Sequence, residues 1–209
     1  MQMDSVHNRR NLPMKTKPLT FLLSFTFLFL FSGSVYGGDL KDGFDAVERE
    51  DYETAYKLLL PFAEQGDAAA QFFLGQLHNV GVVVPQDYKE AVKWYRLSAE
   101  QGDAKAQFTM GNKYLRGQGV SQDYKEAVKW FRLSAEQGIA RAQLTLGNRY
   151  VQGQGVPQDY LLAHMWFNLA GSNGDEQGAS YRERVERKMS PSQIEKAQEL
   201  ARNWKPTSK

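Results

Sequence analysis

Residues 87–122 read DYKEAVKWYRLSAEQGDAKAQFTMGNKYLRGQGVSQ, and residues 123–158 read DYKEAVKWFRLSAEQGIARAQLTLGNRYVQGQGVPQ. The two stretches are adjacent, and 27 of their 36 positions are identical. Weaker copies precede them from Asp51 and follow them from Asp159. The chain is therefore built from a repeat with a period of 36 residues, and this repeat decides the fold.

Each repeat predicts a pair of helices. Between Asp87 and Gly102, apolar residues recur three and four positions apart, which is the period of an amphipathic helix and not of a strand. Asp87 can cap this helix, Gly102 can stop it, and Asp103 can cap a second helix that ends at Gly117. Because a hairpin this short cannot bury both apolar faces alone, successive units must stack. We predict an all-α fold, an α-solenoid of antiparallel helix pairs with capping helices.

Five short motifs recur in register: Ala-Gln-x-x-x-Gly, Gly-Gln-Gly-Val, Gln-Asp-Tyr, Ala-Val-Lys-Trp and Ala-Glu-Gln-Gly. Together they resemble the Sel1-like repeat, a relative of the tetratricopeptide repeat, over about residues 39–204. The resemblance implies a right-handed superhelix that acts as an adaptor for other proteins. The stretch MWFNLA at 165–170, with the helix that closes the chain, also resembles the end of bacterial members. This likeness implies an exported bacterial protein.

The ends of the array depart from the repeat. Ser190 and Pro191 are typical of a helix start, with serine as the cap and proline in the first turn. Pro61 stands where later repeats have leucine, and it should bend or break the first long helix because proline lacks a backbone N–H. We expect four segments after the leader: a half-repeat helix at 38–50, a Sel1-like array at 51–193, a C-terminal capping helix at 190–204 and a disordered tail at 205–209.

Residues 1–37 have the three-part pattern of a secretory signal peptide. Lys15 and Lys17 precede an apolar run at 19–31, and small residues lead to Gly37. The run has 13 residues, whereas a membrane-spanning helix needs about 20, so we expect cleavage near Gly37 and not an uncleaved anchor. The long polar lead-in indicates that translation starts at Met14. We expect a mature chain without a membrane span, in the periplasm or secreted.

Composition excludes several classes of function. The whole chain has a formal charge of +2, but residues 38–209 carry 22 basic and 23 acidic side chains, a net charge of about −1. This balance argues against a nucleic-acid partner, which requires excess positive charge. The chain has no cysteine, so it has no disulfide, no thiolate metal ligand and no cysteine nucleophile.

Residues with catalytic or metal-binding chemistry do not form a recognisable site. His78 and His164 replace packing residues of the repeat, and two distant histidines make no metal site. The Gly-Gln-Gly stretches lack the strand and the Lys-Ser/Thr that a phosphate-binding loop needs, so they predict turns. We therefore expect a protein that is not an enzyme and has no cofactor. The alternative is an envelope hydrolase or β-lactam-binding enzyme, which would need a nucleophile and a base, and the sequence contains no Ser-x-x-Lys.

In tetratricopeptide-type solenoids the first helix of each pair lines the concave face, and a partner site is expected on the equivalent helices here. In this count the Asp103 helix pairs with the helix that follows it, not with the Asp87 helix before it. By this likeness, polar residues of the helices that begin at Asp67, Asp103 and Ile139 face the groove. They are Gln76, Lys105, Asn112, Arg116, Arg141, Asn148 and Gln152. Asparagine can bond a peptide backbone, and lysine or arginine can bind carboxylates. We expect a monomer that holds an extended peptide or an acidic segment there; the alternative is an ordinary solvated helix face.

Overall fold

A computed structural model describes residues 39–206 of the chain. These residues form ten α-helices and no strand. In chain order they are α1 Leu40–Glu48, α2 Tyr52–Glu64, α3 Ala68–Val80, α4 Tyr88–Glu100, α5 Ala104–Arg116, α6 Tyr124–Glu136, α7 Ala140–Gln152, α8 Tyr160–Ser172, α9 Gly178–Glu186 and α10 Pro191–Asn203. The expected signal peptide and the last three residues of the expected tail lie outside the described residues.

The helices stack in the order of the sequence. Each helix from α1 to α8 packs against the next one, and α10 packs back onto α8. The helices α2 to α8 all have 13 residues, and equivalent helices start 36 residues apart. The prediction of an all-α solenoid of helix pairs is confirmed.

Aspartates and glycines set the helix boundaries. Asp103 begins α5, where its carboxylate accepts a hydrogen bond from the Ala106 N–H at 2.6 Å. Gly102 forms the corner before it with φ of 95°, a backbone conformation that glycine adopts without a side-chain clash. The residue before α7 is Ile139, which cannot cap the helix because its side chain has no hydrogen-bond acceptor. The corner therefore tolerates the loss of one capping bond.

The expected break at Pro61 does not occur. The helix α2 continues three residues past the proline to Glu64. Pro61 lies in the last turn, so few helical bonds follow it. The residue whose carbonyl loses its helical donor is Lys57, which is exposed. The proline therefore removes one bond, to the carbonyl of an exposed residue where water can bond instead, and the prediction of a break is wrong.

In the helix pairs α3–α4, α5–α6 and α7–α8, a glycine lets the two helices approach closely. A Cβ atom on Gly111 of α5 would lie 2.5 Å from the Phe131 ring of α6. A Cβ on Gly75 or Gly147 would likewise lie 2.6 Å from the ring of Tyr95 or Phe167. These separations are shorter than any real Cβ contact. The Ala-Gln-x-x-x-Gly motif therefore ends on a glycine that receives the aromatic ring of the following helix.

Buried glutamines form hydrogen bonds that cross from one repeat to the next. The Gln107 Nε2 donates to the Ala99 carbonyl at 3.1 Å, and its Oε1 accepts from the Gln137 Nε2 at 2.8 Å. The equivalent Gln71 and Gln143 donate to carbonyls at 3.0 Å. Each of the three glutamines is at most 4% exposed. Every one of them connects three successive helices through one amide group.

The C-terminal helices cover apolar surface that inner repeats leave open. Leu97 and Leu133 are each 45% exposed, whereas the equivalent Leu169 of α8 is 7% exposed. The Trp204 ring contacts Trp166 edge-on, with 6.0 Å between centroids. The helices α9 and α10 therefore cap the array, as terminal units of a solenoid must.

The turn that follows α7 yields one test of this packing. Gly155 has φ of 78°, and a Cβ there would lie 2.1 Å from the Tyr124 carbonyl oxygen at the start of α6. We expect Gly155→Ala to lower the free energy of unfolding by about 2–4 kcal/mol, measured by urea denaturation. Gly138→Ala is the control, because φ there is 87° but no atom lies within 4 Å of the new methyl group. It should cost about 1–2 kcal/mol, and equal losses would contradict a role for the Tyr124 contact.

The glutamine bonds yield a second test. Gln107→Leu keeps the side-chain volume but leaves the Ala99 carbonyl and the Gln137 amide without this partner. We expect the free energy of unfolding to fall by about 1–2 kcal/mol, because two buried bonds are lost. The loss is limited because the Ala99 carbonyl still accepts from the Gly102 N–H and the Gln137 amide still donates to the Gly102 carbonyl. Gln198→Leu on the exposed side of α10 should change it by less than about 0.5 kcal/mol. A Gln107→Leu protein as stable as the control would show that the inter-repeat bonds are dispensable.

Candidate functional site

The predicted partner residues lie on three first helices of the helix pairs. We call the surface formed by α3, α5 and α7 the first-helix face. Asn112 and Asn148 are partly buried, and the other five residues are exposed: Gln76, Lys105, Arg116, Arg141 and Gln152. The structure brings Asn112, Arg116 and Arg141 together in one pocket. The remaining four do not line it.

The pocket crosses three repeats and has a volume of about 390 Å³. It extends from the end of α3, over α5 and the following turn, to the start of α7. Its walls include five residues that the sequence analysis did not select: Asn79, Phe108, Thr109, Lys113 and Gln118. It therefore combines three cations, three amides, one hydroxyl and one aromatic ring. No carboxylate lines it.

Lys113 is the buried centre of this pocket. Its side chain is on α5 and is only 5% exposed. The ammonium donates a hydrogen bond to the Asn79 side-chain oxygen of α3 and lies 4.6 Å from the centroid of the Tyr88 ring. Among residues 39–206, no carboxylate forms an ion pair with it. Lys113 is thus a buried cation that has a dipole and an aromatic ring as partners but no counterion.

Burial and charge both act on this ammonium. Removal from water lowers the pKa of Lys113, and the positive charge of Arg116 lowers it further. Arg116 and Arg141 also make no ion pair in the described part of the chain. The pocket is therefore electropositive, although the chain from residue 38 onward is close to neutral.

The repeat itself contained the signal for Lys113. The equivalent position is Leu77 in the preceding repeat, 4% exposed, and Arg149 in the following one. Burial also lowers the pKa of Arg149, but this guanidinium donates to Gln154 Oε1 at 2.5 Å and does not line the pocket. A buried apolar position that becomes basic in two repeats marks a site that helix-face reasoning overlooked.

Asn112 is less available than expected. Its Nδ2 donates to the Phe108 carbonyl of its own helix at 3.0 Å. One amide N–H is therefore occupied, and the side-chain oxygen and the second N–H are the groups that could bond a partner. The Thr109 hydroxyl also donates within the helix, to the Lys105 carbonyl at 2.8 Å. Both residues form the wall of the pocket in a fixed orientation.

The two histidines of the array are packing residues. His164 is fully buried, and its Nε2 lies 2.8 Å from Glu186 Oε1. His78 is partly buried and contacts Tyr56 edge-on, with ring centroids 6.4 Å apart. Within residues 39–206, no group of three or more His, Cys, Asp or Glu side chains is placed to hold a metal ion. The helices of this same part are all too short or too polar to cross a membrane.

Comparison with known proteins identifies the repeat. A family model of the Sel1 repeat matches residues 37–67, 68–103, 104–139 and 140–175. The matched units begin with the first helix of each pair, so the helices α1 to α8 make four repeats. The second, third and fourth repeats supply the three helices of the first-helix face. No curated protein matches the sequence significantly.

Two bacterial crystal structures are similar to this chain. One is a protective antigen present in uropathogenic Escherichia coli strains that displays an SLR fold, with a TM-score of 0.67 and 38% sequence identity. The alignment covers 73% of this chain and 32% of that protein. The other is a Sel1 repeat protein from Oxalobacter formigenes, with a TM-score of 0.66 and 35% identity. It is matched over 69% of this chain and 59% of its own length.

This chain therefore spans less than two thirds of either similar protein. Sel1 repeat proteins typically mediate protein–protein interactions, and the family is generally a non-catalytic scaffold. Four matched repeats cover most of the described residues. The chain belongs to the Sel1 repeat family.

Proposed function

We propose that this protein is a non-enzymatic adaptor of the bacterial cell envelope that holds a peptide or protein segment on its concave, first-helix face. The observation that carries the proposal is the pocket that joins Asn112, Arg116 and Arg141 across three repeats. A surface assembled from several repeats suits an extended polypeptide, which can follow successive units. In this proposal the protein acts as a monomer in the periplasm or outside the cell.

The groups that line the pocket match the needs of a peptide ligand. The Gln118 and Asn79 amides offer side-chain donors and acceptors of the kind that pair with backbone groups. Arg116 and Arg141 offer forked donors for carboxylates, and the Phe108 ring offers an apolar contact. Such recognition uses hydrogen bonds, ion pairs and apolar contact, and it requires no covalent bond to be made or broken.

The alternative of an envelope hydrolase or β-lactam-binding enzyme has little support from the pocket. Its hydroxyl group belongs to Thr109 and is already bonded to a backbone carbonyl of its helix. No histidine, aspartate or glutamate lines the pocket to act as a general base. His164 is fully buried on α8 and does not line the pocket.

One feature of the sequence supports an envelope location. The first 37 residues have the charge and hydropathy pattern of a secretory signal peptide. Export would bring the first-helix face into contact with envelope proteins.

A crosslinking pull-down from envelope extract tests the proposal. The purified chain is expected to capture a partner, and Arg116→Glu with Arg141→Glu is expected to reduce recovery of that partner at least about tenfold, because both charges are reversed at the pocket. The recovered proteins are identified and quantified by mass spectrometry. Light scattering of the free chain should give the mass of a monomer.

The matched control is Lys89→Glu with Lys125→Glu. These two lysines are exposed, occupy equivalent positions on α4 and α6, and lie outside this pocket. Their reversal changes the total charge equally and should leave recovery unchanged. Recovery of the chain alone would overturn the proposal in favour of self-assembly, and equal loss in both double variants would exclude the pocket as the binding site.

A further inference from the structure

The Lys113 ammonium has unused bonding capacity in a nearly buried position. A lysine ammonium has three N–H donors. One donates to Asn79, one face of the group meets the Tyr88 ring, and in the part of the chain that the structure describes no other acceptor is within hydrogen-bond distance. The residue is only 5% exposed, and it lines the pocket.

The fold does not need a cation at this position. Leu77 occupies the equivalent place on α3, is 4% exposed, and packs in the core cluster of the first two repeats. A buried charge without a counterion is costly, whereas leucine in such a place stabilises the fold. Lys113 is therefore a residue whose presence the packing does not explain.

Two further cations face the same space. Arg116 follows Lys113 by one turn of α5, and Arg141 extends from the first turn of α7. An anion placed among the three would give Lys113 the counterion that it lacks and would relieve the repulsion between Lys113 and Arg116. The amides of Asn79, Asn112 and Gln118 surround this position.

We infer that this pocket binds a carboxylate side chain of an acidic polypeptide segment and that Lys113 is the residue that selects it. The inference rests on the proposed function and names the chemistry of the partner. The carboxylate receives hydrogen bonds from Lys113 and from one or both arginines. Asn79 is a positioning residue, because its side-chain oxygen holds the ammonium toward α3.

A polypeptide carboxylate fits this pocket better than nucleic acid does. Nucleic-acid binding depends on many phosphate contacts and on an excess of basic residues. The residues from 38 onward carry slightly more acidic than basic groups, and the pocket contains three cations, which are few for a nucleic-acid site. The amide groups and the Phe108 ring beside them suit the backbone and side chains of a peptide.

The chain provides its own matched variants. Lys113→Leu introduces the residue of the preceding repeat, and Lys113→Arg introduces that of the following one. Arg149→Leu removes the equivalent cation one repeat later, outside the pocket. All three replace a residue by one that the same position holds elsewhere in the array, so folding is expected to persist, and circular dichroism verifies it.

The test measures fluorescence anisotropy of a labelled octapeptide of alternating alanine and glutamate with the purified chain. We expect Lys113→Leu to weaken binding at least about tenfold and Lys113→Arg to weaken it less than about fivefold, because arginine retains the charge. Arg149→Leu should change binding less than about twofold, since this residue does not line the pocket. The same peptide with glutamine for glutamate should not bind.

Several outcomes would overturn the inference. They are equal binding of the glutamine peptide, unchanged binding by Lys113→Leu, or an equal loss in Arg149→Leu. Absence of binding by the acidic peptide would overturn it as well. Binding of inorganic phosphate alone, measured by calorimetry and lost in Lys113→Leu, would then indicate a site for a small anion instead.

The envelope pull-down separates this inference from the proposed function. A partner captured equally by the wild type and Lys113→Leu, but lost on reversal of Arg116 and Arg141, would retain the adaptor role and refute the carboxylate anchor. Capture of no partner by the wild type would refute the adaptor role itself. Loss of the partner in Lys113→Leu, with capture preserved in Arg149→Leu, supports both.

Discussion

A buried amide between successive helix pairs is the interaction on which the rest of this structure depends. Gln107 lies between the end of α4 and the end of α6, and it bonds both through one rigid group. Apolar packing between helices is non-directional and would permit sliding, whereas these bonds have fixed lengths and angles. Because the same amide recurs at Gln71 and Gln143, every inner repeat has the same offset from its neighbour. This regular offset places α3, α5 and α7 side by side and so creates the first-helix face.

The candidate site uses positions that this framework leaves free to change. Nine of the 36 positions differ between the two most similar repeats. Phe108, Lys113, Arg116 and Arg141 of the pocket all lie at such positions, whereas the capping, glutamine and ring-receiving glycine positions are mostly shared. Lys113 shows most clearly that the pocket uses variable positions, since the equivalent residue one repeat earlier is leucine. A buried cation opposes stability at its own position. The surrounding bonds and glycine contacts keep the repeat folded in spite of it.

Much of the fold could be predicted from the sequence because local signals agree with the repeat. Asp103 as a cap, Gly102 as a stop and the apolar spacing between them indicate the same boundaries. The prediction for Pro61 was wrong because the proline removes one helical bond, and whether water can replace it depends on the exposure of Lys57, which the sequence alone does not show. The site was predicted less well. Exposed residues on a helix face are easy to find, but Lys113 is nearly buried and reaches Asn79 of another repeat. Periodicity within one unit contains no information on such contacts.

The number of repeats and the size of the site are linked. The pocket takes one residue from α3, most of its wall from α5, and Arg141 from α7, so it needs the first helices of three repeats. A solenoid needs about three repeats to form a stable core, because each unit buries its apolar faces only against neighbours. The repeats that hold this pocket have such neighbours: α2 packs against α3 on one side, and α9 and α10 pack against α8 on the other. The flanking helices therefore bury the ends of the three central repeats and leave their first-helix face open. An array of this size is sufficient to build one site that spans several repeats. The central helix α5 has a repeat on each side. A nearly buried residue of α5 such as Lys113 can therefore contact a neighbouring repeat and still line the pocket.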